Sequence, residues 1–249
     1  MVKLVNNYKL IIQYEGTKYN GWQKQGKTEN TIQGKLEAII SKMAGEKIEI
    51  HGSGRTDSGV HAYGQVANFW ANIDMTPVEV MEYINNYLPK DIAVVSAELA
   101  TPRFHSRLNA NKKTYIYRIH NSNIPNVFER NFTYFYPQKL DVGLMKKASR
   151  HFIGEHDFKA FCSNKNFKKS TVRIIYSIDI IENQDEIEII YVGNGFLYNM
   201  VRIITGTLIE VGIGKIKEED IDFIIQSKDR ENAGFTVPPE GLTLLKVEY

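Results

Sequence analysis

With 249 residues, the chain is long enough to bury a substantial hydrophobic core, as one large domain or as two halves that share a core. Its 43% hydrophobic and 24% charged residues are ordinary for a globular protein, and lysine plus arginine exceed aspartate plus glutamate by only 31 − 29 = 2, so the net charge does not by itself indicate a nucleic-acid-binding protein. The single cysteine, Cys162, excludes an internal disulfide, and with no apolar run of signal-peptide or membrane-spanning length we expect a cytoplasmic protein.

The first half of the sequence predicts the element order β-α-β-β-α-β. Its first helix has apolar residues at helical spacing from Ile32 to Met43 and is followed by Gly45, where a C-terminal cap belongs. The second helix begins with the capping box Thr76-Pro77-Val78-Glu79 and should run to about Leu88. The four strands are expected at Tyr8–Tyr14, Lys47–His51, Gln65–Trp70 and Ile92–Glu98.

The second half repeats this order without obvious sequence identity to the first. Its strands and helices are expected, in chain order, at Thr114–His120, Asp141–Phe152, Thr171–Ile181, Glu186–Val192, Leu197–Val211, Glu218–Ser227 and Leu242–Val247. Two such ferredoxin-like (RRM-like) halves predict an α+β protein with one extended antiparallel sheet and helices on one side. We place the halves at residues 1–105 and 106–249.

A glycine-rich loop separates the two middle strands of the first half, where the second half has only a short polar turn. A two-residue turn would suffice to join such strands. The longer loop within Gly52–Gly64 carries Arg55, Asp57 and His61 and therefore suggests a site. From local chemistry alone the alternative is equally strong, because Asp57-Ser58-Gly59 also makes a good turn in which the aspartate caps its own backbone.

This loop closely resembles the signature of the tRNA pseudouridine synthase A family, at Gly54-Arg55-Thr56-Asp57-Ser58-Gly59-Val60-His61-Ala62. Further motifs match in order at Tyr14–Gln23, Phe104–Arg107, Lys113–Tyr115 and Phe196–Arg202, within a resemblance that runs from about Leu10 to Leu245. The resemblance implies the pseudouridine synthase fold, in which the N-terminal half carries the catalytic aspartate loop and the C-terminal half completes the active-site cleft.

The resemblance also implies the reaction. The expected enzyme is an isomerase that converts uridine to pseudouridine in the anticodon stem-loop of tRNA, at expected positions 38, 39 and 40, as a homodimer and without cofactor or metal. One alternative is a non-catalytic RNA-binding module, because the ferredoxin-like unit is also the topology of the RNA-recognition motif. Another is a nucleoside or RNA hydrolase, because a carboxylate in a glycine-rich loop does not specify that the base is rejoined.

Three residues are expected to act in catalysis. Asp57 resembles the family's essential aspartate, the expected nucleophile, although a carboxylate could add to the base, attack C1′ or remove a ribose proton. Arg202 lies on an apolar helix that should be buried, so it needs a partner, and Glu210 is poorly placed for this. The resemblance favours Asp57 as that partner, while another acid or a side chain that reaches the surface is the alternative. Tyr115 matches the family's active-site tyrosine, which could stack on uracil or transfer a proton, whereas Tyr117 is expected to fill the core.

The remaining expected site residues bind tRNA. Arg55 resembles the residue that helps to hold the target nucleotide out of the stack. Two basic runs, around residues 103–118 and 165–173, suggest contacts with phosphates, although each alone could be an ordinary solvated surface. From these runs we select Arg103, His105, Arg107, Lys165, Lys168 and Lys169, while a structural role is the stronger interpretation for the imidazoles of His61 and His105. The sequence has no Cys/His cluster with metal-ligand spacing.

Overall fold

A computed structural model describes residues 5–26, 28–164 and 168–249 of the chain. The chain folds into two compact units, one formed by Met1–Asn111 with Leu244–Tyr249 and the other by Lys112–Thr243. Within the described ranges, no helix is both long and apolar enough to cross a membrane.

The first unit has the predicted order β-α-β-β-α-β. In its sheet, β1 lies between β4 and β3 and is antiparallel to both, and β2 pairs with β3. Leu10 and Phe69 from the strands and Leu36 and Ile84 from the helices are fully buried, so the helices pack their apolar faces into the core. The elements are β1 (Asn6–Tyr14), α1 (Ile32–Ala44), β2 (His51–Gly52), β3 (His61–Ala71), α2 (Pro77–Tyr87) and β4 (Ile92–Ala100).

The ends of both helices follow the predicted signals. The Thr31 hydroxyl accepts a hydrogen bond from the Gly34 amide at the start of α1, and Gly45 ends that helix in the left-handed conformation with φ 70°. At α2, Thr76 and Glu79 form both hydrogen bonds of the capping box, and Leu88 caps the far end. These predictions are confirmed.

The predicted strand Lys47–His51 is wrong for all but its last residue, because regular pairing begins only at His51. The reason is that side chains of α1 bind the backbone before it. The Ser41 hydroxyl accepts from the Ile48 amide at 2.9 Å, and the Ile50 carbonyl accepts from the Gln33 amide group at 3.2 Å. With these backbone groups satisfied, Ile48 and Ile50 can be buried without a neighbouring strand.

The second unit repeats the order with additions. Its strands pair in the order β5-β9-β8-β7, all antiparallel, and β6 pairs with β5 in parallel. The predicted α+β class with mostly antiparallel pairing is therefore confirmed. The elements are β5 (Lys112–His120), β6 (Tyr134–Phe135), α3 (Val142–Ser149), β7 (Gly154–Asp157), β8 (Val172–Asn183), β9 (Glu186–Gly193), α4 (Met200–Gly212), α5 (Asp220–Ser227) and β10 (Leu242–Glu248), whose last residues belong to the first unit.

Two features of the second unit differ from prediction. The helix expected from Leu197 begins only at Met200, because Asn199 adopts the left-handed conformation with φ 62° and interrupts the helical backbone. The short strands β6 and β7 were not predicted, since two and four residues are too few to show an alternating pattern.

Candidate active site

The Asp57 loop, residues 53–60, connects β2 to β3 in the first unit. A buried glutamine, Gln65, holds its first part. The Gln65 side chain accepts a hydrogen bond from the Ser53 hydroxyl at 2.7 Å and donates one to the Gly54 carbonyl at 3.1 Å, while the Ser53 amide donates to Val66 O at 2.7 Å. The loop is thus fixed to β3 before the chain reaches Asp57.

A buried tyrosine fixes the residue next to Asp57. The Tyr14 hydroxyl lies 2.8 Å from Thr56 Oγ1 and accepts a 3.4 Å hydrogen bond from Gln65 Nε2. Either hydroxyl can be the donor in the bond between Tyr14 and Thr56. Burial raises the pKa of Tyr14 to about 12, so the phenol keeps its proton at neutral pH.

The segment after β1 packs directly on the loop. The Trp22 amide donates to Thr56 O at 3.1 Å, and Tyr19 O accepts from both the Ser58 hydroxyl and the Gly59 amide, at 3.1 and 3.3 Å. A Cβ at Gly21 would lie 2.5 Å from Thr56 O, so only glycine permits this approach. Asp57 is held between these anchored neighbours and is itself half-buried, with its carbonyl accepting from the Val60 amide at 3.2 Å.

Arg55 and His61 lie on either side of this anchored stretch. The Arg55 side chain is exposed, and its Nε donates to Gln23 Oε1 at 2.9 Å. His61 is buried, and its Nδ1 accepts the Gly16 amide at 2.9 Å, which fixes the tautomer with the proton on Nε2. This bond supports the structural interpretation of His61.

In the second unit, Tyr115 lies on β5 opposite Tyr191 of β9. Its side chain is 8% exposed, and its ring meets that of Phe196 edge-on, with centroids 5.3 Å apart. Phe196 belongs to the same motif as Arg202, so two of the matched motifs meet here. Tyr117 is fully buried and donates to Pro238 O at 2.7 Å, which confirms that it fills the core.

Arg202 lies in the first turn of α4 and is half-buried, on a helix whose other residues are buried as expected. Its Nε donates to Val237 O and its Nη1 to Asn199 Oδ1, both at 2.8 Å. Asn199 in turn donates to the Ser163 hydroxyl at 2.9 Å. Glu210 forms an ion pair with Lys215 at 2.5 Å, and the predicted pairing of Arg202 with Asp57 stays a prediction.

Glycines explain why Val237 reaches Arg202. A Cβ at Gly206 would lie 1.9 Å from Phe235 O, and one at Gly234 would lie 2.6 Å from Thr207 N. The chain before Val237 therefore lies against α4 more closely than any side chain would allow. Sequence reasoning missed Tyr14, Gln65, Asn199 and Val237 as supports; only Tyr14 and Asn199 had a signal, because both fall within the matched motifs.

The expected tRNA-binding residues lie in both units. Arg103 and Arg107 are exposed and His105 is half-buried in the first unit, and Lys168 and Lys169 are exposed in the second. Lys165 lies outside the described residues. Arg118, which belongs to the basic run around residues 103–118, forms ion pairs with Glu129 and Glu186, so its charge is neutralised. In the part of the chain that the structure describes, no group of three or more His, Cys, Asp or Glu residues could hold a metal ion.

Comparison with known protein families and with curated relatives shows the family of this chain. The family model described as tRNA pseudouridine synthase matches residues 10–109 and 148–249. "tRNA pseudouridine synthase A" of Bacillus sp. (strain KSM-64) is 54% identical over 231 residues, covering 93% of this chain and 95% of the relative. The chain is also 46% identical, over 98% of its length and all of theirs, to "tRNA pseudouridine synthase A 2" of Bacillus anthracis and "tRNA pseudouridine synthase A" of Caldicellulosiruptor bescii.

The two β-α-β-β-α-β units and the anchored Gly-Arg-Thr-Asp loop are thus accompanied by a family match over residues 10–109 and 148–249, and together they define a pseudouridine synthase. Within that class, the chain belongs to the tRNA pseudouridine synthase family.

Proposed function

We propose that this chain isomerises uridine to pseudouridine in the anticodon stem-loop of tRNA, and does so in the cytoplasm without a cofactor. Membership of the family supports the reaction, and the names of the relatives support tRNA as substrate. The single observation that carries the proposal is the Asp57 loop, whose motif matches the family and whose backbone is anchored on both sides of the carboxylate.

The reaction is balanced within the substrate. The bond between ribose C1′ and uracil N1 breaks, the base turns, and a bond forms between C1′ and C5. The proton on C5 is lost and N1 gains a proton, so that no co-reactant is consumed. Such a reaction needs a nucleophile or base, a group that moves the C5 proton, and a means of holding the base, all of which amino-acid side chains can supply.

Asp57 is the proposed nucleophile. Its neighbours Thr56 and Ser58 are tied to Tyr14 and Tyr19, so its backbone cannot shift without breaking buried hydrogen bonds. A carboxylate held in this way is positioned before substrate arrives, which lowers the entropic part of the barrier. Addition to the base, attack at C1′ and removal of a ribose proton all remain compatible with it.

We assign supporting roles to three further residues. Arg202, with its guanidinium plane fixed by Asn199 and Val237, would keep the Asp57 carboxylate ionised. Tyr115, buried edge-on against Phe196, would stack on uracil or transfer the C5 proton. Exposed Arg55 would occupy the space left by the extruded nucleotide.

We also propose that the enzyme is a homodimer and that Lys165, Lys168 and Lys169 bind tRNA phosphates. The exposure of Lys168 and Lys169 supports the second statement. For the dimer, the supporting observation is an apolar surface on the loop between β5 and β6, where Ile124, Val127 and Phe128 are 75%, 57% and 89% exposed. These three exposed side chains fall close together in the sequence, and a contiguous exposed apolar patch is the kind of surface that a partner protein covers.

The test uses tRNA transcribed with uridine that is tritiated at C5, because rejoining through C5 releases tritium. The wild-type protein should release tritium and leave pseudouridine in the tRNA, also in the presence of EDTA. Asp57→Asn should release none while its tRNA affinity stays within a few-fold, since phosphate contacts supply most of the affinity.

Asp185→Asn, which changes an exposed aspartate in the β8–β9 turn, is the matched control and should keep full activity. Free uracil in place of pseudouridine would identify a hydrolase, and binding without any change of the nucleosides would identify a non-catalytic RNA-binding module. Either result, or activity in a clean Asp57→Asn preparation, would overturn the assignment.

A further inference from the structure

The segment that follows β4, residues 101–109, has no regular secondary structure but is firmly held. Two buried asparagines of the sheet bind its backbone. Asn7 Nδ2 donates to Thr101 O and Phe104 O at 2.9 Å each, and Asn68 Oδ1 accepts from the Ser106 amide at 2.9 Å. Because these bonds satisfy buried polar groups, a movement of the segment would have to break them.

This fixed segment presents two arginines and a histidine. Phe104 packs on the ring of Tyr249, with centroids 5.0 Å apart, and Ser106 is fully buried. The residues that alternate with them are Arg103 and Arg107, both exposed, and His105, which is half-buried. The segment therefore offers cationic groups to solvent from a rigid support, which reduces the entropy lost when a ligand binds.

A second imidazole and an indole complete the cluster. The ring of His51, on β2, lies 5.1 Å from that of His105 and 5.5 Å from that of Trp70 on β3, the latter edge-on at 67°. Trp70 Nε1 donates to Pro102 O at 3.3 Å, which joins the indole to the same segment. The rings of these three side chains thus pack on one another, and His105 Nε2 and the nitrogens of His51 are the ring groups placed to recognise a ligand.

The charges in the cluster have one sign. His105 Nδ1 accepts the Arg107 amide at 3.1 Å, so the imidazole is neutral with its proton on Nε2. Partial burial lowers the pKa of His105, and the nearby charges of His51 and Arg107 lower it further. In residues 5–26, 28–164 and 168–249, no carboxylate forms an ion pair with His51, Arg103, His105 or Arg107. An anion is the partner that would balance these charges.

We propose that His51 and His105, together with Arg103 and Arg107, bind a backbone phosphate of tRNA, and that this contact strengthens as the pH falls. The proposal rests on the proposed function, since it takes tRNA as the ligand. A phosphate fits better than a base, because the rings pack on one another and offer their N–H groups. His51 is not among the residues that the sequence indicated.

The sign of the pH effect follows from linkage. In the free protein the protonated form of His105 is disfavoured, because its ring is partly buried, lies 5.1 Å from that of His51 and is close to the charge of Arg107. A phosphate bound beside His105 favours the protonated form of its imidazole, so binding takes up protons. The affinity for tRNA must then rise as the pH falls through the pKa that the His105 imidazole has in the complex.

The experiment measures the Kd for one transcribed tRNA between about pH 6 and about pH 8, the range in which histidine titrates. The wild-type protein should bind about five-fold more tightly at the lower pH. His51→Gln combined with His105→Gln should abolish this difference, whereas His156→Gln, which changes a histidine of the second unit whose Nε2 bonds Ile153 O, should retain it. The same pH difference in the double variant would overturn the proposal.

A second pair of variants does not depend on the imidazoles. Arg103→Gln with Arg107→Gln should lower the slope of log Kd against log salt by about 1 to 2, because up to two phosphate contacts are lost. An unchanged slope would contradict the site. Tritium release at saturating tRNA is measured in parallel: its absence from the wild type would contradict the proposed function itself, while normal release with unchanged pH and salt dependence would contradict only this inference.

Discussion

The guanidinium of Arg202 is held in one plane by the Val237 carbonyl and the Asn199 side chain, both at 2.8 Å. Lysine cannot present two donors at a fixed spacing in one plane, because its three N–H groups share one nitrogen on a flexible stem. Arg202→Lys should therefore lower kcat by at least about ten-fold, equivalent to about 1.4 kcal/mol, while the protein stays folded. Single-turnover tritium release measures this, with Arg150→Lys at an exposed position as control. Wild-type turnover in Arg202→Lys would show that the fork geometry is unimportant.

The role of the Tyr115 hydroxyl can be tested separately from that of its ring, because phenylalanine keeps the ring and lacks the hydroxyl. Tyr115→Phe keeps the edge contact with Phe196 and should keep tRNA affinity, but kcat should fall about ten- to hundred-fold if the hydroxyl moves a proton. The matched control is Tyr176→Phe, which removes a hydroxyl from a 46% exposed tyrosine of β8. Full activity of Tyr115→Phe would show that Tyr115 only stacks on the base and does not transfer a proton.

At the level of single residues, the sequence predicted the groups that are proposed to react but not those that position them. Asp57, Tyr115 and Arg202 were found because they lie in contiguous motifs. Gln65 and Val237 were missed because a buried glutamine on a strand and a backbone carbonyl carry no local signal; their roles depend on contacts between distant parts of the chain.

Among the elements, the contact between the Asp57 loop and the segment after β1 makes a prediction for Gly21. This glycine has φ 82°, and a Cβ there would lie 2.5 Å from Thr56 O. Gly21→Ala should lower the free energy of unfolding by about 1–3 kcal/mol and reduce activity by more than this loss of stability explains, because the loop must move. Denaturant unfolding and tritium release measure the two effects.

Gly26→Ala provides the control, since it changes a glycine of the same segment that has no atom within 4 Å of the Cβ position. It should change stability by no more than about 0.5 kcal/mol. Equal effects of the two substitutions would show that the close approach at Thr56 does not position the loop.

The elements themselves were predictable where local chemistry decides, and not where tertiary contacts do. The capping box at Thr76 and the Gly45 cap set the ends of α1 and α2 as expected. The strand expected at Lys47 did not form because Ser41 and Gln33 of α1 bind its backbone, and those contacts exist only in the folded unit. The late start of α4 has a similar origin, since Asn199 is bound to both Ser163 and Arg202.

At the scale of the whole molecule, the size of one chain bears on the proposed assembly into a homodimer. A globular chain of this length has a radius of gyration of roughly 18 Å, which is short beside a tRNA whose elbow and anticodon loop are far apart. A twofold dimer would double the span and present each basic run twice at a fixed distance. One subunit could then hold the body of the tRNA with Lys168 and Lys169 while the other presents Asp57 to the anticodon stem.

The apolar loop gives the first test of this arrangement. Phe128 is 89% exposed, so Phe128→Asp should leave the fold of the subunit intact while it places a charge in the proposed interface. Sedimentation should then show a monomer, or a dimer that is weaker than that of the wild type by a factor of about ten, equivalent to about 1.4 kcal/mol. Val95→Asp, which adds the same charge at a 45% exposed position of β4, is the control. A wild-type monomer, or an unchanged Phe128→Asp dimer, would contradict this interface.

Mixing two inactive proteins tests whether one tRNA is shared between subunits. Asp57→Ala should be inactive because it lacks the carboxylate, and the triple variant Lys165→Ala, Lys168→Ala, Lys169→Ala should be inactive at low tRNA concentration because it binds weakly. In a mixed dimer, the intact Asp57 of one subunit faces a tRNA that the intact lysines of the other can hold, so tritium release should partly return. The recovered tritium release should be proportional to the fraction of mixed dimers. After random exchange between equal amounts of the two proteins, at most half of the dimers are mixed. If mixed dimers form and stay inactive, each subunit binds its own tRNA and the lysines act on the same subunit as Asp57.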